Sequence, residues 1–169
     1  MAIKKDQEYL SIIDNIINND KFKVIGNIKH HNTTRLNHSV KVSYYSYKCA
    51  KALKLDYHEV ARAGLLHDFY TDEIKECDKF KDKFKLFSIK HPKDAANNAM
   101  EIVSLSEKEI NIIKSHMFPI SNSVPKYAES WIVSIVDKVL SVIEFSSKFK
   151  YKFIYVFNMY LLFLLNNIK

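Results

Sequence analysis

Glycine and proline are scarce: the 169 residues include two glycines and three prolines. Tight hairpins and nucleotide-cradling loops need residues that accept positive φ or pre-set a turn. A β-sandwich and a doubly wound α/β fold are therefore excluded, and an all-α chain is expected. Cysteine is equally rare. Cys49 and Cys77 cannot form a disulfide framework, and Cys49, in an apolar helical stretch, is expected to be a buried reduced thiol. Arginine occurs only at Arg35 and Arg62, although basic residues number 26 and the net charge is +7. Readers of nucleic-acid sequence favour arginine's bidentate fork, so the lysine excess reads as a solvated surface with a modest pull on anionic substrates and no specific nucleic-acid partner is expected, a nucleic-acid binder resting on the lysine excess alone. The apolar run Phe153 to Leu165 contains Asn158 and falls short of the ~20 residues needed to cross a bilayer. The opening MAIKKDQEYL has no apolar signal core, so a cytoplasmic location is expected.

Hydrophobic residues make up 47% of the chain and aromatics 13%, enough for one self-sufficient core over residues 1–169. The first helix is expected over Gln7 to Ile17, with Leu10, Ile13 and Ile17 on one face, followed by a polar stretch to Asn32. A second helix should run from Leu36 to Leu53, its buried stripe passing from His38 through Val42, Tyr45, Cys49 and Ala52. The small, apolar EVARAGLLHD forms a third, ending in His67 and Asp68. Thr71 to Lys90 is charged and reads as loop, with Pro92 in the first turn of the next helix and His91 near its N-cap. Ser106 and Glu109 have capping-box spacing and open a helix that ends near His116. A long helix covers Lys126 to Ser147. A last one, Tyr151 to Asn166, is apolar all round, as a buried or dimer-forming helix would be.

The chemistry gathers at element ends. His38 opens one helix, His67 and Asp68 close another, and His91 and His116 sit at further ends. Asp137 lies among Ile135, Val136 and Val139, where an unpartnered carboxylate would be costly to bury. A cation or a buried partner removes that cost. Imidazoles with carboxylates and no thiolate suit Fe, Mn, Co, Ni or Zn in a reactive site rather than a structural zinc site.

In this order the residues resemble the HD superfamily of metal-dependent phosphohydrolases. RLNHS resembles its arginine–histidine segment, ARAGLLHD the helix that carries its name, and SIVDKV the segment with the last aspartate. The likeness runs from about Thr34 to Glu144, the expected HD core, with helices 7–17 and 151–166 packed on it. It implies a compact helical bundle and one cation held by His38, His67, Asp68 and Asp137. HPKDAANNAMEI and INIIKSHM resemble the binuclear branch, which implies a second cation on Asp68, His91 and His116. The implied activity is hydrolysis of a phosphoester or phosphoanhydride bond by metal-activated water. The implied substrate is a small phosphorylated molecule of nucleotide type, with Asp68 and Arg35 in catalysis and Arg35 and Lys138 on the substrate. The alternative is an inactive HD-fold module that binds a nucleotide without cleaving it. Where many such proteins have lysine three residues after the aspartate, this chain has Thr71. A homodimer through the C-terminal helix is a further expectation.

Overall fold

Short polar side chains start most of the helices in the computed structural model, which describes residues 2–30, 33–70 and 80–146. Asp6 accepts from the amide of Tyr9 and opens α1 (Gln7–Ile17); Asn19 accepts from Lys21 and opens α2 (Asp20–Lys23). A 3-10 turn, Val24–Asn27, leads into an antiparallel two-rung ladder of β1 (Lys29–His30) on β2 (Thr33–Thr34). Thr34 then caps α3 (Arg35–Ala52), and Asp56 caps α4 (Tyr57–Leu66). α5 (Phe80–Met100) and α6 (Glu107–Ser115) follow, the latter opened by the Ser106–Glu109 capping box. α7 covers residues 128–146. The expected Tyr151 to Asn166 helix and the apolar run within it lie outside the described residues. Among the described residues no helix is long and apolar enough to cross a membrane.

α3 and α4 form the centre of the bundle. A Cβ on Gly64 would stand 3.1 Å from the Cα of Ser43, so glycine sets how closely the two helices approach. Ser43 donates to the carbonyl of Ala61 at 2.6 Å, and the Tyr9 hydroxyl donates to Ser43 at 2.9 Å, tying α1 to the pair. Tyr9 also packs its ring against Tyr44 and Tyr47. α6 lies against α4 and α5.

Several expectations change. The buried face of α3 keeps His38 and Val42 as expected but continues through Ser39, Ser43, Tyr44, Ser46, Tyr47 and Ala50, with Arg35 buried at its start. Tyr45, Cys49 and Ala52 are exposed, so Cys49 is a surface thiol rather than a buried one. α4 comes closest at Ser43, where Gly64 meets it and the Ser43 hydroxyl bonds the Ala61 carbonyl, so the inward face of α3 is centred on Ser43 and Tyr45, Cys49 and Ala52 turn away from it. On α1 the deepest residues are Tyr9, Ile13 and Ile16, with Leu10 and Ile17 at the margin. The stretch after α1 is less polar in effect than in composition, since Phe22 and Ile25 are fully buried. Residues 80–90, expected as loop, belong to α5, which passes straight through Pro92. Proline removes one helix amide and normally disrupts a helix interior. Here the burial of His91, Ala95, Ala96 and Ala99 against the bundle outweighs that cost, and His91 lies inside the helix, not at its N-cap. Residues 71–79 of the expected loop lie outside the described residues.

Candidate metal centre

Five helices bring one or two ligand-type side chains each to the same place. His38 comes from the first turn of α3, and His67 and Asp68 from the end of α4. His91 is on α5, His116 follows α6, and Asp137 is midway along α7. All six are buried. His67 and His116 occupy equivalent positions just past their helices. Each donates Nδ1–H to a last-turn carbonyl three residues back, His67 to Gly64 at 2.8 Å and His116 to Ile113 at 2.7 Å. These are carbonyls a helix end leaves without an amide. The bonds assign Nδ1–H to the carbonyl, so that Nε2 is the nitrogen turned inward, its lone pair available to a cation once Nε2 carries no proton.

The inward atoms crowd together. His38 Nε2 lies 3.0 Å from Asp137 Oδ1, and His67 Nε2 lies 3.6 Å from the same oxygen and 3.8 Å from Asp68 Oδ2. On the other side of Asp68, Oδ1 is 3.6 Å from His91 Nε2 and 3.7 Å from His116 Nε2. The Nε2 atoms of His91 and His116 are 3.0 Å apart. Three overlapping sets of donors lie within 4.8 Å of one another: His38, His67 and Asp68; His67, His116 and Asp137; and Asp68, His91 and His116. Asp68 thus stands between two halves of one cluster.

A cation suits this arrangement. His67 Nε2 is buried with no hydrogen-bond partner, an expensive state for a polar atom. Its carboxylate neighbours are too distant for a hydrogen bond. Metal–nitrogen and metal–oxygen bonds of ~2.1 Å place neighbouring ligand atoms about 3.0–3.5 Å apart, close to the spacings here. The mixed nitrogen and oxygen set fits Fe, Mn, Co, Ni or Zn without choosing among them.

Electrostatics agree. Burial by itself would depress the His67 imidazolium, but the charges of Asp68 and Asp137 prevail and raise it to about 9. Burial, reinforced by His67 and His91, lowers His116 to about 3. Burial also opposes ionisation of Asp68, yet His67, His91 and His116 hold it far below the usual carboxylate range; His38 and His67 do the same for Asp137. Without a cation, His67 therefore keeps a proton at pH 7.5 that a metal must displace. Calorimetric metal binding at that pH is expected to release about one proton per chain, seen as a dependence of the heat on buffer ionisation enthalpy, and to tighten as pH rises toward 9. A heat independent of buffer would place the proton elsewhere.

The other expected site residues, Arg35 and Lys138, are bonded to groups next to the cluster rather than to its inward atoms. Arg35 is buried, donates to the Tyr70 carbonyl and stacks 3.7 Å from the centroid of the Tyr70 ring. That ring in turn lies 5.1 Å from His91. Arg35 Nε is buried without a partner. Lys138 is held back from the cluster: Nζ donates to the His116 carbonyl and the Ser134 hydroxyl, both at 2.7 Å, and to the Ser134 carbonyl at 3.2 Å. Burial lowers its pKa. Sequence reasoning overlooked Tyr70 and, more importantly, Glu144, whose Oε2 lies 2.9 Å from His38 Nδ1. Glu144 follows Asp137 by seven residues, two helical turns, and that spacing is a signal that would have found it.

A family model described as HD domain matches residues 35–141, well over half of the chain and all six clustered residues. Neither the curated proteins nor the solved structures gave a match.

Proposed function

The chain belongs to the HD-domain family, a superfamily of metal-dependent phosphohydrolases, and on that premise we propose that it hydrolyses a phosphoester or phosphoanhydride bond in a small phosphorylated molecule of nucleotide type. The observation that supports this most is Asp68, one carboxylate set between two histidine-bearing halves of a buried cluster. His38, His67, Asp68 and Asp137 would hold one divalent cation, and Asp68, His91 and His116 a second. Such cations make bound water a nucleophile near neutral pH and neutralise charge on phosphate oxygens.

The chain's own part is arrangement and exclusion. Asp68 and Asp137, held ionised by the surrounding imidazoles, supply the negative charge that keeps cations in place. The carbonyls of Gly64 and Ile113 lock the rings of His67 and His116 so that no reorganisation is needed when charge develops. Arg35, clamped on Tyr70 beside His91, offers its Nε–H to a phosphate oxygen at that edge. Lys138 reaches a phosphate only by giving up a bond to His116 or Ser134, so the first phosphate contact is assigned to Arg35. The net charge of +7 favours encounter with an anion.

Elemental analysis of purified protein, with an assay panel of nucleotides and model phosphodiesters in Mn, Fe, Co, Ni or Zn, tests the reading. At least one transition metal per chain and turnover with one of these metals are expected. Lack of metal and of turnover under every condition, anaerobic iron included, overturns it, while tight nucleotide binding without product points to the inactive module instead.

A further inference from the structure

His38 is backed by a different kind of group from His67 and His116. Those two give Nδ1–H to main-chain carbonyls of their own helices. His38 turns Nδ1 onto a buried carboxylate of another helix, Glu144, at 2.9 Å. The second oxygen of Glu144 accepts from Lys41 Nζ at 2.7 Å. Since Asp137 Oδ1 faces the opposite nitrogen of the same ring at 3.0 Å, the imidazole lies between two carboxylates supplied by α7. A neutral ring has one N–H and serves only one of them. With that N–H on Nδ1 for Glu144, the Nε2 lone pair faces the cluster, which is the form of His38 that ligates a cation.

We propose that Glu144 is a positioning residue of the metal centre, which fixes the tautomer and orientation of His38 and makes its Nε2 the stronger donor. The proposal rests on the reading of the cluster as a metal centre. A carboxylate behind a ligating imidazole is worth about 10- to 100-fold in metal affinity. Within the cluster its printed contact is with His38, whereas His116 is oriented by the Ile113 carbonyl. A purely structural role predicts something else. If Glu144 only pinned α7 to α3 through its ion pair with Lys41, removing Lys41 would do the same harm. The Lys41 side chain is 30% exposed, and partly solvated pairs of this kind hold helices together weakly.

The test uses metal-stripped full-length protein titrated with Co2+ under anaerobic conditions against a competing chelator, followed by visible absorption. His38→Ala identifies the binding event to which His38 belongs. Glu144→Gln, which keeps the shape, is expected to weaken that event about 10- to 100-fold and shift its absorption bands. Any event assigned to the His91 and His116 half stays as in the wild type. Lys41→Met is expected to bind as the wild type does. Unchanged affinity in Glu144→Gln, an equal loss in Lys41→Met, or a loss spread evenly over all events with a lowered thermal midpoint each overturns the positioning role. A wild-type protein that takes up no Co2+ overturns the metal-centre reading itself, a result distinct from wild-type uptake with an indifferent Glu144→Gln.

Discussion

Asp68→Ala is expected to lower turnover at least ~10³-fold, equivalent to about 4 kcal/mol of transition-state stabilisation, while the chain stays folded and helical. The size follows from position. Asp68 is the carboxylate that both halves of the cluster share, with His67 at 3.8 Å on one oxygen and His91 and His116 at 3.6 and 3.7 Å on the other. Removing any one imidazole takes a donor from one side; removing Asp68 takes charge from both. Its loss also brings three histidines together with one fewer anion among them, which discourages cation binding further. Bound metal per chain should fall with activity. The helices should survive, because Asp68 lies just beyond the end of α4 and its side chain bears on the cluster rather than on the packing of α3 against α4. Steady-state rates, elemental analysis and far-UV circular dichroism on the same preparation decide the matter. Turnover within tenfold of wild type would exclude a shared role for this carboxylate.

Gly64→Val is expected to cost about 2–3 kcal/mol of stability through overpacking. A thermal midpoint lower by roughly 5–10 °C is then expected for a chain of this size. The neighbour that a new Cβ would meet is backbone, the Cα of Ser43 at 3.1 Å, so no rotamer change relieves the contact. α3 must move away. That movement lengthens the bond from Ser43 to the Ala61 carbonyl and displaces His38 on the same helix. Valine's better helix propensity, worth a few tenths of a kcal/mol over glycine, does not offset this. Gly64→Ala should lose less, because its gain of up to ~1 kcal/mol in propensity opposes a smaller clash. Thermal unfolding measured without metal separates packing from ligand binding. An unchanged midpoint in Gly64→Val would mean that α3 and α4 can separate freely and that glycine is not needed there.

The helical architecture was legible because its causes are local. Scarce glycine and proline, the Ser106–Glu109 capping box, and a first helix running from Gln7 to Ile17 all act within one or two turns. The ligand-type residues were legible for a related reason: a carboxylate in SIVDKV and a histidine–aspartate pair after AGLL are costly in apolar surroundings, so they signal a use. Burial was harder to read. Ser39, Ser43 and Ser46 look like a polar face but are fully buried, with Ser43 at the close approach of α3 to α4, while Cys49, which looks apolar, is exposed. His91 lies within a helix that Pro92 should have started, since the packing of α5 overrides a local penalty.

By itself, the chain's sequence determined the all-helical class, most helix starts, and the kinds of side chain available for holding a cation, because propensity, capping and desolvation cost depend on near neighbours. Only the tertiary structure decided which of those side chains meet and what stands behind them. Glu144 reaches His38 across 106 positions of chain, and that pairing exists only once α7 lies against α3. Contacts of such separation are set by how whole helices pack, and no short stretch of sequence contains the information.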